Sequence, residues 1–153
     1  MRNQLKYLLT LPVIFHTVGG AQPDGWEVFE VTEKNENIYI KKDIKPQITT
    51  TYFETLINYN KPQKGVINNI PMTWKSRVER ESISCESRVR QRWEIRFYSE
   101  INGSGYLVHK FEVLTLDTRA REALFPPYQY SNEEWNRRGF EKKFCRKAWE
   151  LWR

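Results

Sequence analysis

The most regular hydrophobic pattern in the chain lies in residues 74–98, which alternate as a β-hairpin does. In the second half of this segment, the apolar residues share one parity: Val89, Trp93, Ile95 and Phe97. The charged and polar residues share the other parity: Arg88, Arg90, Arg92, Glu94, Arg96 and Tyr98. Because successive side chains of a strand point to opposite faces, the pattern predicts one apolar face and one strongly basic face.

The first half of the hairpin is less regular, because its apolar residues change parity partway along the strand. A β-bulge at residues 80–82 would restore a single apolar face. A three-residue turn at residues 86–88 then places Cys85 opposite Val89 on that face. We therefore predict an irregular strand that brings Cys85 to the inner side of the sheet.

Four further segments have the composition and alternation of strands: residues 26–31, 38–42, 48–59 and 106–114. Residues 60–73 contain two prolines, a glycine and an Asn-Asn pair, so a loop is predicted there. The Asn-Gly-Ser-Gly sequence at residues 102–105 predicts a tight turn. Residues 115–132 are predicted to be irregular around Pro126 and Pro127.

The last part of the chain has the pattern of an amphipathic helix. Ser131 or Asn132 can cap it, and Gly139 is expected to delay or kink its start. Its apolar residues recur at helical spacing on one face: Phe140, Phe144, Cys145, Ala148, Trp149, Leu151 and Trp152. Together with the strands, this helix predicts an α+β fold, in which a single antiparallel sheet of about six strands carries a C-terminal helix on one face.

Residues 1–21 have the layout of a secretory signal peptide, with a positive start, a short apolar run and small residues before a cleavage position after Ala21. An N-terminal strand or buried helix is the alternative. With a signal peptide, the mature domain is residues 22–153, and it is exported to the periplasm or the cell surface. No cysteine follows the apolar run to carry a lipid anchor, and no other segment is apolar enough to span a bilayer.

The two cysteines of the chain, Cys85 and Cys145, are both predicted on apolar faces. Export would bring them into an oxidising compartment. We therefore predict a disulfide that pins the C-terminal helix onto the hairpin, and its long loop makes it worth about 4 kcal/mol on the chain-entropy model. Two free buried thiols are the alternative if the chain is not exported.

Few residues could support catalysis. After residue 21 the only histidine is His109, which has no free cysteine or serine motif beside it, and nitrogen and sulfur ligands are too few for a metal site. A carboxylate pair for glycoside hydrolysis could come from the hairpin, but the interleaved arginines make cross-strand ion pairs the simpler account of Glu79, Glu81, Glu86 and Glu94. The sequence therefore predicts a non-enzymatic protein without a metal or cofactor.

The chain has a formal net charge of +6, and many of its basic residues lie in the hairpin. We predict a ligand-binding face made of Lys75, Arg77, Arg88, Arg90, Arg92 and Arg96. A basic face with aromatic neighbours recruits acidic proteins, glycosaminoglycans or nucleic acid, and export argues against nucleic acid. In the alternative interpretation, these side chains only solvate the sheet and pair with the interleaved glutamates.

Several short motifs follow one another in a distinctive order. Trp26 opens the first strand, Ser76 precedes Cys85 by nine residues, and Cys145 lies in the predicted helix. Between them come Ile38-Tyr39-Ile40, Asn58-Tyr59-Asn60-Lys61-Pro62-Gln63, and Phe97-Tyr98-Ser99 leading into Asn102-Gly103-Ser104-Gly105. In this order, over nearly the whole mature chain, the sequence resembles the surface-adhesin protein E family of Gram-negative bacteria.

The resemblance implies an exported protein with a small antiparallel sheet, a C-terminal helix and a disulfide that joins them. It also implies adhesion to host plasma or extracellular-matrix proteins. A periplasmic protein that binds another envelope component, or a small periplasmic enzyme, are the alternatives, and a homodimer is compatible with each. The chain lacks the lipobox cysteine of lipid-anchored relatives and carries an unusual tryptophan-rich basic segment at its C-terminal end.

Overall fold

The computed structural model describes residues 22–32, 36–67 and 69–147. These residues form one antiparallel sheet, whose strands are β1 (Trp26–Val31), β2 (Asn37–Lys41), β3 (Thr50–Ile67), β4 (Ile70–Ser84), β5 (Val89–Tyr98), β6 (Leu107–Glu112) and β7 (Tyr128–Gln129). The first six strands lie side by side in sequence order, and the short β7 pairs with the start of β5. The predicted antiparallel sheet of about six strands is therefore confirmed.

The β3–β4 hairpin occupies the segment predicted to be a loop, residues 60–73, and that prediction is wrong. The two strands pair as far as Ile67 and Ile70. Asn69 in the turn has a φ of 63°, a left-handed conformation that asparagine tolerates better than most residues. We call the outer part of this hairpin, residues 60–67 together with residues 70–75, the ribbon.

The ribbon has no third strand beside it in the described part of the chain. β2 pairs with β3 only at residues 55–57, and β5 pairs with β4 only from Ser76 onward. Both outer edges of the ribbon are therefore free of sheet hydrogen bonds. Since proline lacks an N–H donor and is tolerated at such edges, Pro62 and Pro71 do not end the strands.

A β-bulge interrupts the ladder between β4 and β5. Arg80 pairs with Glu94, but the next residue, Glu81, pairs with Arg92 and leaves Trp93 as the extra residue. The register does shift at the predicted place, between Arg80 and Glu81, but the inserted residue is Trp93 of β5, so the predicted bulge in β4 is wrong and Val78 and Ile83 stay on opposite faces. Because one inserted residue reverses side-chain alternation, β5 changes face along its length.

The bulge divides the arginines of β5 between the two faces of the sheet. Arg90 and Arg92 share a face with Ile95, which follows the bulge, whereas Arg96 points to the opposite face. The prediction of one continuous basic face is therefore wrong. We call the face of Arg90 and Phe53 the covered face, and the opposite face the outer face.

The turn between β4 and β5 differs from the predicted one. The ladder pairs Ile83 with Arg90, so the turn consists of the four residues 85–88. Cys85 lies in this turn and not opposite Val89, and the predicted pairing of these two residues is wrong. The turn nevertheless holds Cys85 at the end of the covered face, where Cys145 meets it.

The main hydrophobic core lies on the covered face and consists of Ile40, Phe53, Ile83, Tyr130, Trp135, Phe140 and Phe144. Phe144 is fully buried, and its ring centroid lies 4.8 Å from that of Phe53. Side chains of this size each contribute about 1.5–3 kcal/mol when fully buried. The predicted disulfide between Cys85 and Cys145 is confirmed, with 5.7 Å between the two Cα atoms.

The C-terminal region covers this core with two short helices, α2 (Asn132–Arg137) and α3 (Phe140–Phe144), which follow a further helix, α1 (Thr118–Leu124). The Ser131 hydroxyl caps α2 by accepting a hydrogen bond from the Glu134 N–H at 3.2 Å. Gly139, with a φ of 64°, separates α2 from α3, so the predicted kink is confirmed. Cys145 is extended and bridges to Gln47, and its predicted place inside a helix is wrong.

Residues 115–132 are more regular than predicted, since they contain α1 and β7. A carboxylate oxygen of Asp117 accepts a hydrogen bond from the Ala120 N–H at 2.9 Å and so caps α1. Two predictions fall outside the described residues. These are the signal peptide at residues 1–21 and the last part of the apolar stripe, Ala148, Trp149, Leu151 and Trp152.

Candidate binding surface

Arg90 is held on the covered face by a buried carboxylate. Glu81 is 1% exposed and forms a two-pronged ion pair with Arg90, in which Nη2 donates to Oε1 at 2.8 Å. The Thr55 hydroxyl donates to the same oxygen at 2.9 Å. Arg90 also donates to the Tyr130 hydroxyl at 3.3 Å and lies over the Phe29 ring. These contacts make Arg90 part of the core.

Glu79 lies beside this pair and is contacted by two further arginines of the predicted ligand-binding set. The Nε atoms of Arg77 and Arg92 lie 2.8 Å and 2.6 Å from its carboxylate oxygens. These contacts lack hydrogen-bond geometry at both Nε atoms and at Oε1 of Glu79. The ion pairs of Arg92 and Arg90 cross from β5 to β4, so the interpretation of the hairpin glutamates as ion-pair partners is confirmed for Glu79 and Glu81.

The two buried glutamates have opposite pKa shifts. Burial raises the pKa of Glu79, and the negative charge of Glu81 adds to the rise against the attraction of Arg77 and Arg92. Burial alone would also raise the pKa of Glu81, but the guanidinium of Arg90 holds that pKa below the ordinary value. The charge of Glu81 is therefore compensated by Arg90, whereas burial opposes ionisation of Glu79.

The outer face carries a second ion-pair network, centred on Glu54. Its carboxylate lies 2.6 Å from Lys41 and 3.3 Å from Arg80, and it also accepts a hydrogen bond from Arg96. Burial would raise the pKa of Glu54, but Lys41 and Arg96 lower it. Glu54 therefore remains ionised beneath three cations from three neighbouring strands.

Most cations of the outer face are more exposed than the carboxylates they pair with, and the exception is Lys110 with Glu112, whose side chain is 51% exposed. Side-chain exposure is 43% for Lys41 and 59% for Arg80, but only 16% for Glu54. The same order holds for Lys110 at 42% and Glu94 at 12%, whose charged atoms are 3.0 Å apart. A molecule approaching this face around Glu54 therefore meets positive charge first, whereas Glu112 presents a carboxylate beside Lys110.

A groove of about 640 Å³ on the outer face combines this charge with aromatic surface. Tyr52 is 66% exposed, and its ring centroid lies 6.1 Å from that of Trp93, the residue inserted by the bulge. The indole N–H of Trp93 donates to the Ser82 hydroxyl at 2.6 Å, which orients the ring. The charged residues that line the groove include Lys41, Asp43, Lys45, Glu54 and Arg80.

Two further predicted ligand-binding residues lie away from this groove. Lys75 forms an exposed ion pair with Glu100 at 2.7 Å. Arg88 belongs to the four-residue turn, has a φ of 56°, and accepts a hydrogen bond from the Tyr130 N–H through its carbonyl. Among the six predicted residues, Arg96 lies within the outer-face network, and the ligand-binding role of the whole set stays a prediction.

The groove was missed by the sequence prediction, which did not consider Tyr52, Lys41 or Arg80. One signal was available, since Tyr52 and Glu54 share a parity opposite to that of the buried Phe53. The position of Trp93 beside Tyr52 depends on the bulge, and a regular alternation in β5 places it on the wrong face.

The described residues show little else that suggests chemistry. His109 lies on β6 with its ring centroid 6.3 Å from that of Phe111. Within residues 22–32, 36–67 and 69–147, no group of three or more histidine, cysteine or acidic side chains is placed to hold a metal ion. No helix in this part of the chain is long and apolar enough to cross a membrane.

Several motif residues meet in one hydrogen-bonded cluster. The Asn58 side chain donates to Oδ1 of Asn102 and accepts from the Asn102 N–H, each at 2.7 Å. The Ser76 hydroxyl accepts from the Gly103 N–H at 3.0 Å and donates to the Glu100 carbonyl at 2.5 Å. These residues therefore fasten the β5–β6 connection across β3 and β4, which is a structural role.

The sequence profile described as Surface-adhesin protein E matches residues 26–123, more than half of the chain and the part that runs from β1 into α1. The chain belongs to the surface-adhesin protein E family. Membership supports an adhesin-like surface protein and favours a non-enzymatic one. No curated protein matches the chain.

A solved structure shows the same fold. The crystal structure of protein E from non-typeable Haemophilus influenzae aligns with a TM-score of 0.53 at 14% sequence identity. The alignment covers 84% of this chain and 86% of the other. At this identity the likeness concerns the fold alone. The fold of this chain has therefore also been observed in a crystal structure.

Proposed function

We propose that this protein is an exported, non-enzymatic adhesin that binds acidic segments of host plasma or extracellular-matrix proteins through the outer face of its sheet. The family supports the adhesin class, and the groove beside Tyr52 and Trp93 supplies the contact surface. This proposal moves the ligand contact from the predicted arginine set to the outer face, where Arg96 is the shared member.

The exposure order of the charges carries the proposal. Lys41 and Arg80 are more exposed than the Glu54 carboxylate they pair with, so the network satisfies this buried charge and still presents cations to solvent. A positive surface potential accelerates association with acidic partners and helps to fix the relative orientation of the two proteins in the complex. Sheet hydrogen bonds hold these side chains in place before the ligand arrives.

The Tyr52–Trp93 pair adds contact area next to this charge. Tyrosine and tryptophan are enriched at the energetic centres of protein interfaces, because they bury a large surface with few rotatable bonds. An acidic segment with an apolar or aromatic side chain fits this combination best.

The test is binding of the purified protein to immobilised serum proteins and solubilised extracellular matrix. The double variant Arg80→Glu plus Lys45→Glu changes two exposed charges of the groove, and we expect it to weaken binding at least about tenfold, equivalent to ~1.4 kcal/mol. Raising the salt concentration should weaken the wild-type complex in the same direction. Tyr52→Ala should weaken binding without changing this salt dependence.

The matched control is Arg119→Glu plus Arg137→Glu, which makes the same change in net charge on exposed residues of α1 and α2. Equal loss in both double variants would show that only the net charge matters and would contradict the proposal. Capture of a component from detergent-solubilised bacterial envelope, with no binding to host material, would instead establish the envelope-protein alternative. Fractionation with protease shaving of intact cells locates the protein in the periplasm or at the cell surface.

A further inference from the structure

The tip of the ribbon exposes apolar side chains on both of its faces, with Val66 beside Pro71 on one face and Ile70 beside Ile67 on the other. Val66 is 69% exposed and Ile70 is 57% exposed, on opposite strands beside the turn. The apolar residues next to the turn are Val66, Ile67, Ile70, Pro71 and Met72. Exposed apolar residues scattered singly need no explanation, but a cluster at the end of a projecting hairpin indicates an interaction site.

The ribbon is also basic along its whole length. No aspartate or glutamate occurs between Glu54 and Glu79 in the sequence. Lys61 and Lys64 are exposed, and neither forms an ion pair with another residue in the described part of the chain. The ribbon therefore presents two uncompensated positive charges behind an apolar tip, and it fits an anionic partner.

The base of the ribbon is packed firmly onto the sheet. The ring centroid of Trp74 lies 4.9 Å from that of Phe97 on β5. The same indole ring covers Gly65, where an added Cβ would come within 2.8 Å of it. Gly65 thus permits a close contact that fixes the ribbon relative to the body, so the tip is held at one end of the sheet.

We propose that the ribbon tip inserts into the interfacial region of an anionic lipid membrane. Lys64 lies three residues before the turn, or about 10 Å along a strand. This distance matches the roughly 5–10 Å by which apolar faces enter the boundary between headgroups and acyl chains. With the tip inserted, Lys64 reaches the level of the lipid phosphates, and Lys61, three residues further from the turn, faces the anionic surface from the water side.

The membrane explains the order of residues better than a protein groove does. Along β3, the apolar residues of the tip are preceded by Lys64, then by Pro62 and Gln63, and then by Lys61. This order matches the change from acyl chains to charged headgroups at a bilayer surface. The ribbon lies at the opposite end of β4 from the disulfide turn and shares no residue with the outer-face groove. The inference therefore goes beyond the proposed ligand contact and leaves that face free to bind.

The experiment is flotation of the purified protein with vesicles made of equal parts phosphatidylglycerol and phosphatidylcholine, compared with vesicles of phosphatidylcholine alone. We expect the wild type to float with the anionic vesicles and to float poorly with the neutral ones. Val66→Ser plus Ile70→Ser should reduce the bound fraction strongly. Lys61→Gln plus Lys64→Gln should weaken binding to anionic vesicles by at least about tenfold at low salt.

Two matched controls separate the ribbon from general surface effects. Leu114→Ser plus Leu124→Ser removes two exposed leucines elsewhere, and Lys42→Gln plus Lys142→Gln removes two exposed lysines elsewhere. Both should bind like the wild type. Circular dichroism and the thermal midpoint confirm that every variant is folded, which is expected because all eight positions are on the surface or the free ribbon.

Three outcomes would overturn the inference. The first is a wild type that does not float with anionic vesicles. The second is loss of binding in the lysine variant with full binding in the Val66/Ile70 variant, which would show adsorption by charge without insertion. The third is a ribbon-dependent cross-link to an envelope protein in the absence of vesicle binding, which would assign the tip to a protein groove.

Discussion

Glu79 and Glu81 are two residues apart on one strand, yet their surroundings favour opposite protonation states. Glu81 has a hydrogen-bonded arginine, a threonine hydroxyl and full burial, so its charge is compensated. Glu79 is equally buried, but its arginine contacts lack hydrogen-bond geometry. The stability of the covered face therefore depends on Arg90 and Glu81 as a pair, and much less on the charge of Glu79.

The first prediction compares Glu81→Gln with Glu79→Gln. Glu81→Gln leaves the buried guanidinium of Arg90 without its counter-ion, and we expect a loss of about 3–5 kcal/mol in the free energy of unfolding. Glu79→Gln removes a charge that burial already disfavours and whose partners Arg77 and Arg92 are about one third exposed to solvent, so we expect a change within about 1 kcal/mol. Urea denaturation followed by tryptophan fluorescence measures both. Equal losses would contradict the asymmetry.

The pH dependence gives the same comparison a second readout. The folded-state pKa of Glu79 lies above the ordinary value of 4.5, so its contribution to stability is present below that value and is lost as pH rises through the folded pKa. The folded-state pKa of Glu81 lies below 4.5, so its contribution is present above that value and is lost as pH falls. As pH rises from about 4 to 8, the free energy of unfolding of Glu79→Gln should therefore increase relative to that of the wild type. A constant difference over this range would show that Glu79 titrates normally.

At the level of elements, local alternation was enough to predict β1, β2 and the central part of β3. The parity change of the apolar residues in β4 predicted a bulge in that strand, but β4 is continuous there, and the extra residue lies opposite it in β5. Local alternation could not show which strand carries the extra residue, since Trp93 suits either face of a sheet. The ligand-binding prediction depended on that choice, and the inserted residue turned Arg90 and Arg92 toward carboxylates across the ladder.

The ribbon shows a different limit of local patterns. Proline, glycine and an Asn-Asn pair usually mark a loop, because each disfavours a strand inside a sheet. Each strand of the ribbon has one edge without a neighbouring strand, and proline is tolerated there because no acceptor waits for its missing N–H. Whether an edge is free depends on where the neighbouring strands end. The sequence of residues 60–73 alone does not determine where those strands end.

The β5–β6 connection provides a prediction at this scale. Gly103 has a φ of 65°, and an added Cβ would lie 2.9 Å from a methyl of Val78. Gly25 has a φ of 76° with nothing within 4 Å, so alanine there meets the backbone strain alone. We expect Gly103→Ala to lower the free energy of unfolding by about 1–3 kcal/mol more than Gly25→Ala, as overpacking does. If Gly103→Ala and Gly25→Ala had the same thermal midpoint, the close packing around Gly103 would be contradicted.

For the whole molecule, the covered face depends on two contributions that act together. The disulfide fixes Cys145 to the β4–β5 turn, and Phe140 and Phe144 bury the core beneath α3. We expect the double variant Cys85→Ala plus Cys145→Ala to have a free energy of unfolding about 4 kcal/mol lower than the wild type. We also expect it to become sensitive to proteases within residues 131–147. Limited proteolysis with mass mapping identifies the first cut. Cleavage that begins in β1 or β2 would show that the C-terminal region is held without the disulfide.

The position of Cys145 also sets an order of events during biogenesis. Every neighbouring pair among β1 to β6 is consecutive in sequence, so hairpins can close one after another as the chain emerges. Phe53 and Ile83 stay uncovered during that time, because their cover comes from Phe140 and Phe144. The cysteine pair can therefore be oxidised only after Cys145 has reached the sheet, and formation of the bond reports that the covered face has received its cover. A chain truncated before α3 would have a paired sheet with an open apolar face, which marks it for chaperones and proteases.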